Sequence, residues 1–86
     1  MQVSVELTLT PLQDDYEKHI IQFIKRLRNS EFTILENPLS TQVYGEYDKV
    51  MQFLTSEIKN AFGEMEHVLV YMKLVKSNRS DYEPNF

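Results

Sequence analysis

The 86-residue chain carries 13 acidic and 9 basic residues, a net charge of −4 and no cysteine, which excludes disulfides, thiolate catalysis and cysteine-ligated zinc together. Its basic residues are scattered, so it lacks the clustered Lys and Arg that nucleic acid as a main partner requires. No window reaches the roughly 18 consecutive apolar residues of a membrane span, and the opening MQVSVELTL has neither the basic nor the apolar region of a leader peptide. The expectation is one soluble, cytoplasmic domain. A chain this short buries only about 60–65% of the surface its unfolded form exposes, so self-association would add usefully to its stability.

In chain order, Val3, Val5, Leu7 and Leu9 alternate with Ser4, Glu6, Thr8 and Thr10, a period-two pattern that predicts a strand with one buried face. Pro11 ends it, having no N–H for a ladder. Asp14 or Asp15 is placed to cap a helix, whose apolar stripe is Tyr16, Ile20, Phe23, Ile24 and Leu27. Its acidic start and basic end, Arg26 and Arg28, suit the macrodipole; the basic end reads as a solvated surface. Asn29 and Ser30 break the helix, and Phe32, Ile34 and Glu36 alternate with Thr33, Leu35 and Asn37 in a second strand.

Asn37-Pro38 leads into LSTQVYGEYDKV, residues 39–50, which packs a strand, a turn and a helix start into twelve residues. Ser40, Gln42, Tyr44 and Glu46 fall on one side of that strand, and Thr41, Val43 and Gly45 on the other. Gly45 marks a bend or a close backbone approach. Asp48 is placed to cap a second helix over residues 47–62, with Val50, Leu54, Ile58 and Ala61 on one stripe and Gly63 as its stop. A last strand spans residues 67–75, with Val68, Val70, Met72 and Leu74 on one side. Residues 77–86 form a polar tail beyond the domain of residues 1–76.

The order strand–helix–strand–strand–helix–strand is the split βαβ pattern. It defines the fold class as α+β: a ferredoxin-like βαββαβ sandwich, a four-stranded antiparallel sheet with two helices on one face. Right-handed crossovers make the first and third strands central. The helices then cover Val3, Val5, Leu7, Leu9, Val43, Val68, Val70, Met72 and Leu74. The open face carries Glu6, Thr8 and Thr10 on one central strand, Gln42, Tyr44 and Glu46 on the other, and Leu69, Tyr71 and Lys73 at an edge. It holds more aromatic and apolar groups than an ordinary solvated surface, so a second subunit is expected to meet it.

The segments VELTLTPL, LSTQVYGEYDKVM and VLVYMKLV resemble the YkoF-like thiamine-binding family over residues 3–76. The resemblance implies a ferredoxin-like domain that assembles through open sheet faces and binds thiamine or its hydroxymethylpyrimidine part. Some members of that family join two such domains in tandem; here a homodimer or homotetramer would supply the second half. The carry-over is firmest for Thr10 at the Thr10-Pro11 strand end and for Ser40 and Thr41.

Thiamine presents an aminopyrimidine edge and a cationic thiazolium. A binder needs a carboxylate or amide, hydroxyls, and an aromatic or acidic wall. Glu6, Thr8, Ser40, Thr41, Gln42, Tyr44, Glu46 and Tyr71 supply those types. Thr41, which alternates toward the helices, would contribute only at a strand end. Each also has an ordinary reading: Glu6 as a solvated strand residue, Ser40 and Thr41 as a strand start, Tyr44 and Tyr71 as interface anchors. Catalysis finds no support. His19 and His67 lie far apart with no nucleophile motif, two histidines make a poor zinc site, and two glycines cannot build a phosphate-cradling loop. The expectation is a non-enzymatic binder of thiamine, needing no cofactor or metal. The other reading is an oligomerisation domain whose open face only packs on itself; a small enzyme would rest on fold analogy alone.

Overall fold

The structure, a computed structural model, describes residues 1–85. The tail's last residue lies outside the described residues. Six elements follow in the expected order: β1 (Gln2–Pro11), α1 (Glu17–Arg28), β2 (Thr33–Glu36), β3 (Thr41–Glu46), α2 (Tyr47–Glu64) and β4 (Val68–Lys76). The strands form one sheet in the order β2-β3-β1-β4, every neighbour antiparallel, so β1 and β3 are central.

The register turns the alternation of each strand into a shared face. Val5 sits opposite Val43 on one side and Leu74 on the other, while Glu6 sits opposite Gln42 and Lys73. Val3, Val5, Leu7 and Val43 are buried under Phe23 and Leu27 of α1 and Val50, Leu54 and Ala61 of α2. Phe32 stacks at a tilt on Phe53 with ring centroids 5.4 Å apart. Gly45 belongs to that packing: a Cβ there would lie 2.7 Å from Phe32 Cδ1 and 3.0 Å from Val50 Cγ2, so the close approach expected from the sequence is real.

Four local expectations change. Neither Asp14 nor Asp15 caps α1; the N-cap is Tyr16, without a side-chain bond. The chain turns through a left-handed Asp15 (φ 61°), whose carboxylate pairs with Lys18 at 3.2 Å instead. At α2 the cap is Glu46, not Asp48: its carboxylate accepts from the Lys49 N–H at 3.0 Å. Gly63 does not stop α2, which runs on to Glu64 and ends at the buried Met65 with an extended backbone. The helix end is set by the need to drive Met65 into the core, so the freedom of glycine is unused. Arg26 is not a solvated helix end either, since it lies half-buried between the helices, paired with Glu57 and Glu64. Arg28 reaches Glu36 with two hydrogen bonds, 2.6 and 2.8 Å, and ties α1 to β2.

The helices do not cover all of their face. Val68 and Val70 pack against the core, but Met72 and Leu74 are 41% and 44% exposed. The edge strand β4 is covered at Val68 and Val70, and from Met72 on it projects beyond the helices. Conversely, Ser4 and Tyr44 on the open face are each only 8% exposed. At Ser4 the tail is responsible: Ser77 N–H donates to the Gln2 carbonyl at 2.8 Å, the Ser4 hydroxyl donates to the Ser77 carbonyl at 2.7 Å, and Arg79 N–H donates back to Ser4 Oγ at 2.8 Å.

Candidate functional site

The hairpin between β2 and β3 sets the geometry of the site. Asn37 Oδ1 accepts from the N–H groups of Leu39 and Ser40 at 2.8 and 3.0 Å, a local turn that asparagine side chains favour, and Thr8 Oγ1 lies 3.3 Å from the Leu39 carbonyl as its donor. Ser40 is thereby fixed over β1. Its hydroxyl donates to Glu6 Oε2 at 3.1 Å and accepts from Gln42 Nε2 at 2.8 Å. The chain Gln42 to Ser40 to Glu6 leaves the Gln42 carbonyl and the second Glu6 oxygen without a side-chain partner among the described residues.

Ser40 lines one cavity and hydrogen-bonds to Glu6 and Gln42, which line a second. On the helix side, a cavity of about 160 Å³ opens between α1 and the hairpin. Leu7, Leu9, Ile20, Phe23 and Ile24 make it apolar, and Thr8, Asn37, Ser40 and Thr41 give it a polar rim. It exists because β3 begins only at Thr41, opposite Leu7, so β1 continues to Pro11 beside β4 alone. On the open face, a second cavity of about 180 Å³ is lined by Ser4, Glu6, Gln42, Tyr44, Lys73 and Arg79, with Val5 and Val75. Burial first, and then the charge of Glu6, push the Tyr44 phenol above its ordinary pKa; it stays a hydroxyl donor at neutral pH.

The structure therefore brings together Glu6, Ser40 and Gln42 by hydrogen bonds, sets Tyr44 beside them, and adds Thr8 and Thr41 through the hairpin. It does not bring in Glu46, which is engaged as the cap of α2 at the other end of β3; that bond is the main reason its carboxyl sits below the usual range. Thr10 and Tyr71 are exposed and line neither of these cavities. Ser4 and Arg79 are additions that sequence reasoning missed. Ser4 shares the alternation of Glu6 and could have been found that way. Arg79 lies in a tail without periodicity and gave no signal. Among the described residues no group of three His, Asp or Glu side chains could hold a metal ion, and no helix is long and apolar enough to cross a membrane.

A four-stranded antiparallel sheet with two helices on one face, and a polar pocket on the other, defines a small ferredoxin-like domain. The family model described as the YKOF-related family matches residues 2–80, and the chain belongs to that family. A solved structure of a Streptococcus pneumoniae protein superposes with a TM-score of 0.82 at 28% identity, covering 91% of this chain and 89% of the other. A Thermotoga maritima protein provisionally assigned to thiamine biosynthesis or salvage gives 0.79 at 15% identity, covering 90% and 85%. A hypothetical protein of Methanocaldococcus jannascii gives 0.72 at 18%, covering 95% and 84%. No curated protein matches the chain.

Proposed function

We propose that this protein binds thiamine or its hydroxymethylpyrimidine part at the Ser40 junction and catalyses no reaction on it. The observation that carries the reading is the Gln42–Ser40–Glu6 chain beside an apolar cavity. A carboxylate with a free oxygen accepts from the exocyclic amine, and an amide and hydroxyls complete a ring edge that both donates and accepts. Family membership and the Thermotoga relative support the same ligand class. The ligand is the cargo; the reading requires no cofactor. A second copy of the chain meeting the open face near Leu69 and Tyr71, both exposed, would make the working unit a homodimer or homotetramer in the cytoplasm.

The test is a calorimetric titration with thiamine and with hydroxymethylpyrimidine, followed by recovery of the ligand. Saturable binding with unaltered ligand supports the proposal. Glu6→Gln is expected to weaken affinity by about tenfold or more, the weight of a hydrogen bond to a charged group, with folding intact. Unchanged affinity removes Glu6 from the site.

The exposed apolar residues of β4, Leu69, Tyr71, Met72 and Leu74, favour a second reading, a domain that only assembles. It predicts oligomers without any thermal response to thiamine, since a ligand that binds the native state must raise its stability.

A further inference from the structure

The open-face cavity has a charge pattern that free thiamine does not match. Three charged side chains line it: Glu6, Lys73 and Arg79. Lys73 is the direct cross-strand partner of Glu6, yet among the described residues neither Lys73 nor Arg79 lies in an ion pair. The reason is the hairpin: Ser40, from the β3 side, holds the Glu6 carboxylate at 3.1 Å, while Lys73 comes from β4 on the opposite side of β1. Arg79 is held over the same cavity by Ser4, which donates to the Ser77 carbonyl at 2.7 Å and accepts from the Arg79 N–H at 2.8 Å. Ser77 keeps a positive φ of 102° in this turn, a conformation that a non-glycine residue holds only when its surroundings impose it. Two cations are thus carried to one rim, one by β4 and one by a turn fastened to β1.

We infer that this cavity receives an anionic substituent of the ligand, a phosphate monoester or pyrophosphate, so that the protein selects the phosphorylated form of an aminopyrimidine compound over the free one. The inference rests on the thiamine reading above and deepens it. Glu6 meets the pyrimidine from the hairpin side, and Lys73 and Arg79 meet the phosphate from the β4 side, with Tyr44 lining the same cavity from β3. Free thiamine, permanently cationic, would meet two unpaired cations there. Ser4 is a positioning residue, acting through Arg79.

The experiment is a calorimetric titration of the full chain with thiamine, thiamine monophosphate and inorganic phosphate, repeated for Lys73→Gln, Arg79→Gln and the double variant. Thiamine monophosphate is expected to bind at least about tenfold tighter than thiamine. That preference should fall roughly threefold or more in each single variant, vanish in the double variant, and shrink with added salt as exposed charge pairs do. Ser4→Ala should lower the preference for the monophosphate about as far as Arg79→Gln does, because it releases the turn that holds Arg79. Equal or weaker binding of the monophosphate, or a preference that survives in the double variant, overturns the inference and leaves the thiamine reading intact. No binding of either pyrimidine compound overturns both. Inorganic phosphate binding as tightly as the monophosphate overturns the pyrimidine selection.

Discussion

β1 and β4 are neighbours with the same written pattern and opposite fates. Both alternate apolar residues toward the helices, and Leu7 lies directly opposite Met72 as Val5 does opposite Leu74. Yet Leu7 is 2% exposed and Met72 41%. Alternation states which way a side chain points; whether anything covers it depends on the position of the strand in the sheet. β1 has a strand on each side and both helices above. β4 is an edge, and the helices cover it only at Val68 and Val70.

The strongest way to break this contrast is to truncate both members of one cross-strand pair. Leu7→Ala should destabilise by about 2–5 kcal/mol, as other buried leucines do, lowering Tm by at least about 8 °C in a domain of this size. Met72→Ala, one residue across the ladder, should stay within about 0.5 kcal/mol. Equal losses in thermal denaturation would mean that β4 is covered in solution by another copy of the chain.

Next in size is Gly45→Ala. The added methyl would press on the Phe32 ring and Val50, and overpacking of this kind destabilises by roughly 1–3 kcal/mol. Chemical denaturation would read it, and Phe32→Leu in the same chain should recover part of the loss by opening the space.

Met72→Glu sharpens the comparison from the edge side. It leaves the monomer core untouched and places a charge on an apolar edge, a device that blocks strand pairing between chains. Sedimentation velocity should show a smaller species if β4 serves assembly, with circular dichroism unchanged.

The smallest effect is a pH dependence. Glu46, held low chiefly by the Lys49 N–H, and Glu36, held low chiefly by its hydrogen bond to Arg28, both have folded-state values below the ordinary 4.5. Their contribution is therefore present above that value and is lost as pH falls through the lowered folded ones. Glu46→Gln should therefore lower stability slightly at neutral pH, where the contribution is present, and leave it unchanged in acid, so that the acid limb of the stability curve flattens.

Much of the fold was legible because periodicity is local. Val3 to Leu9 and residues 39–46 show their strands without help, and the six-element order follows from the spacing of breakers such as Pro11, Asn29 and Pro38. The meeting of Glu6 and Gln42 was legible too, once β1 and β3 were central and antiparallel. The caps were not. Asp48 and Asp15 are good capping residues by type, but Glu46 and Tyr16 occupy those places because the strand end and a left-handed turn fix where each helix starts. Nor was the hydrogen bond of Ser40 to Glu6, which depends on how a four-residue hairpin folds back over its neighbour.

The sequence by itself determined the order of strands and helices and the face each strand residue points to, because the period of side-chain direction is a property of neighbouring residues. Only tertiary packing decided that β4 stays half-bare, that Ser40 bonds to Glu6 and Gln42, and that Arg79 reaches the cavity Glu6 lines. Those outcomes depend on contacts between distant segments, Ser4 and Arg79 being 75 residues apart, and no local pattern encodes which distant group arrives.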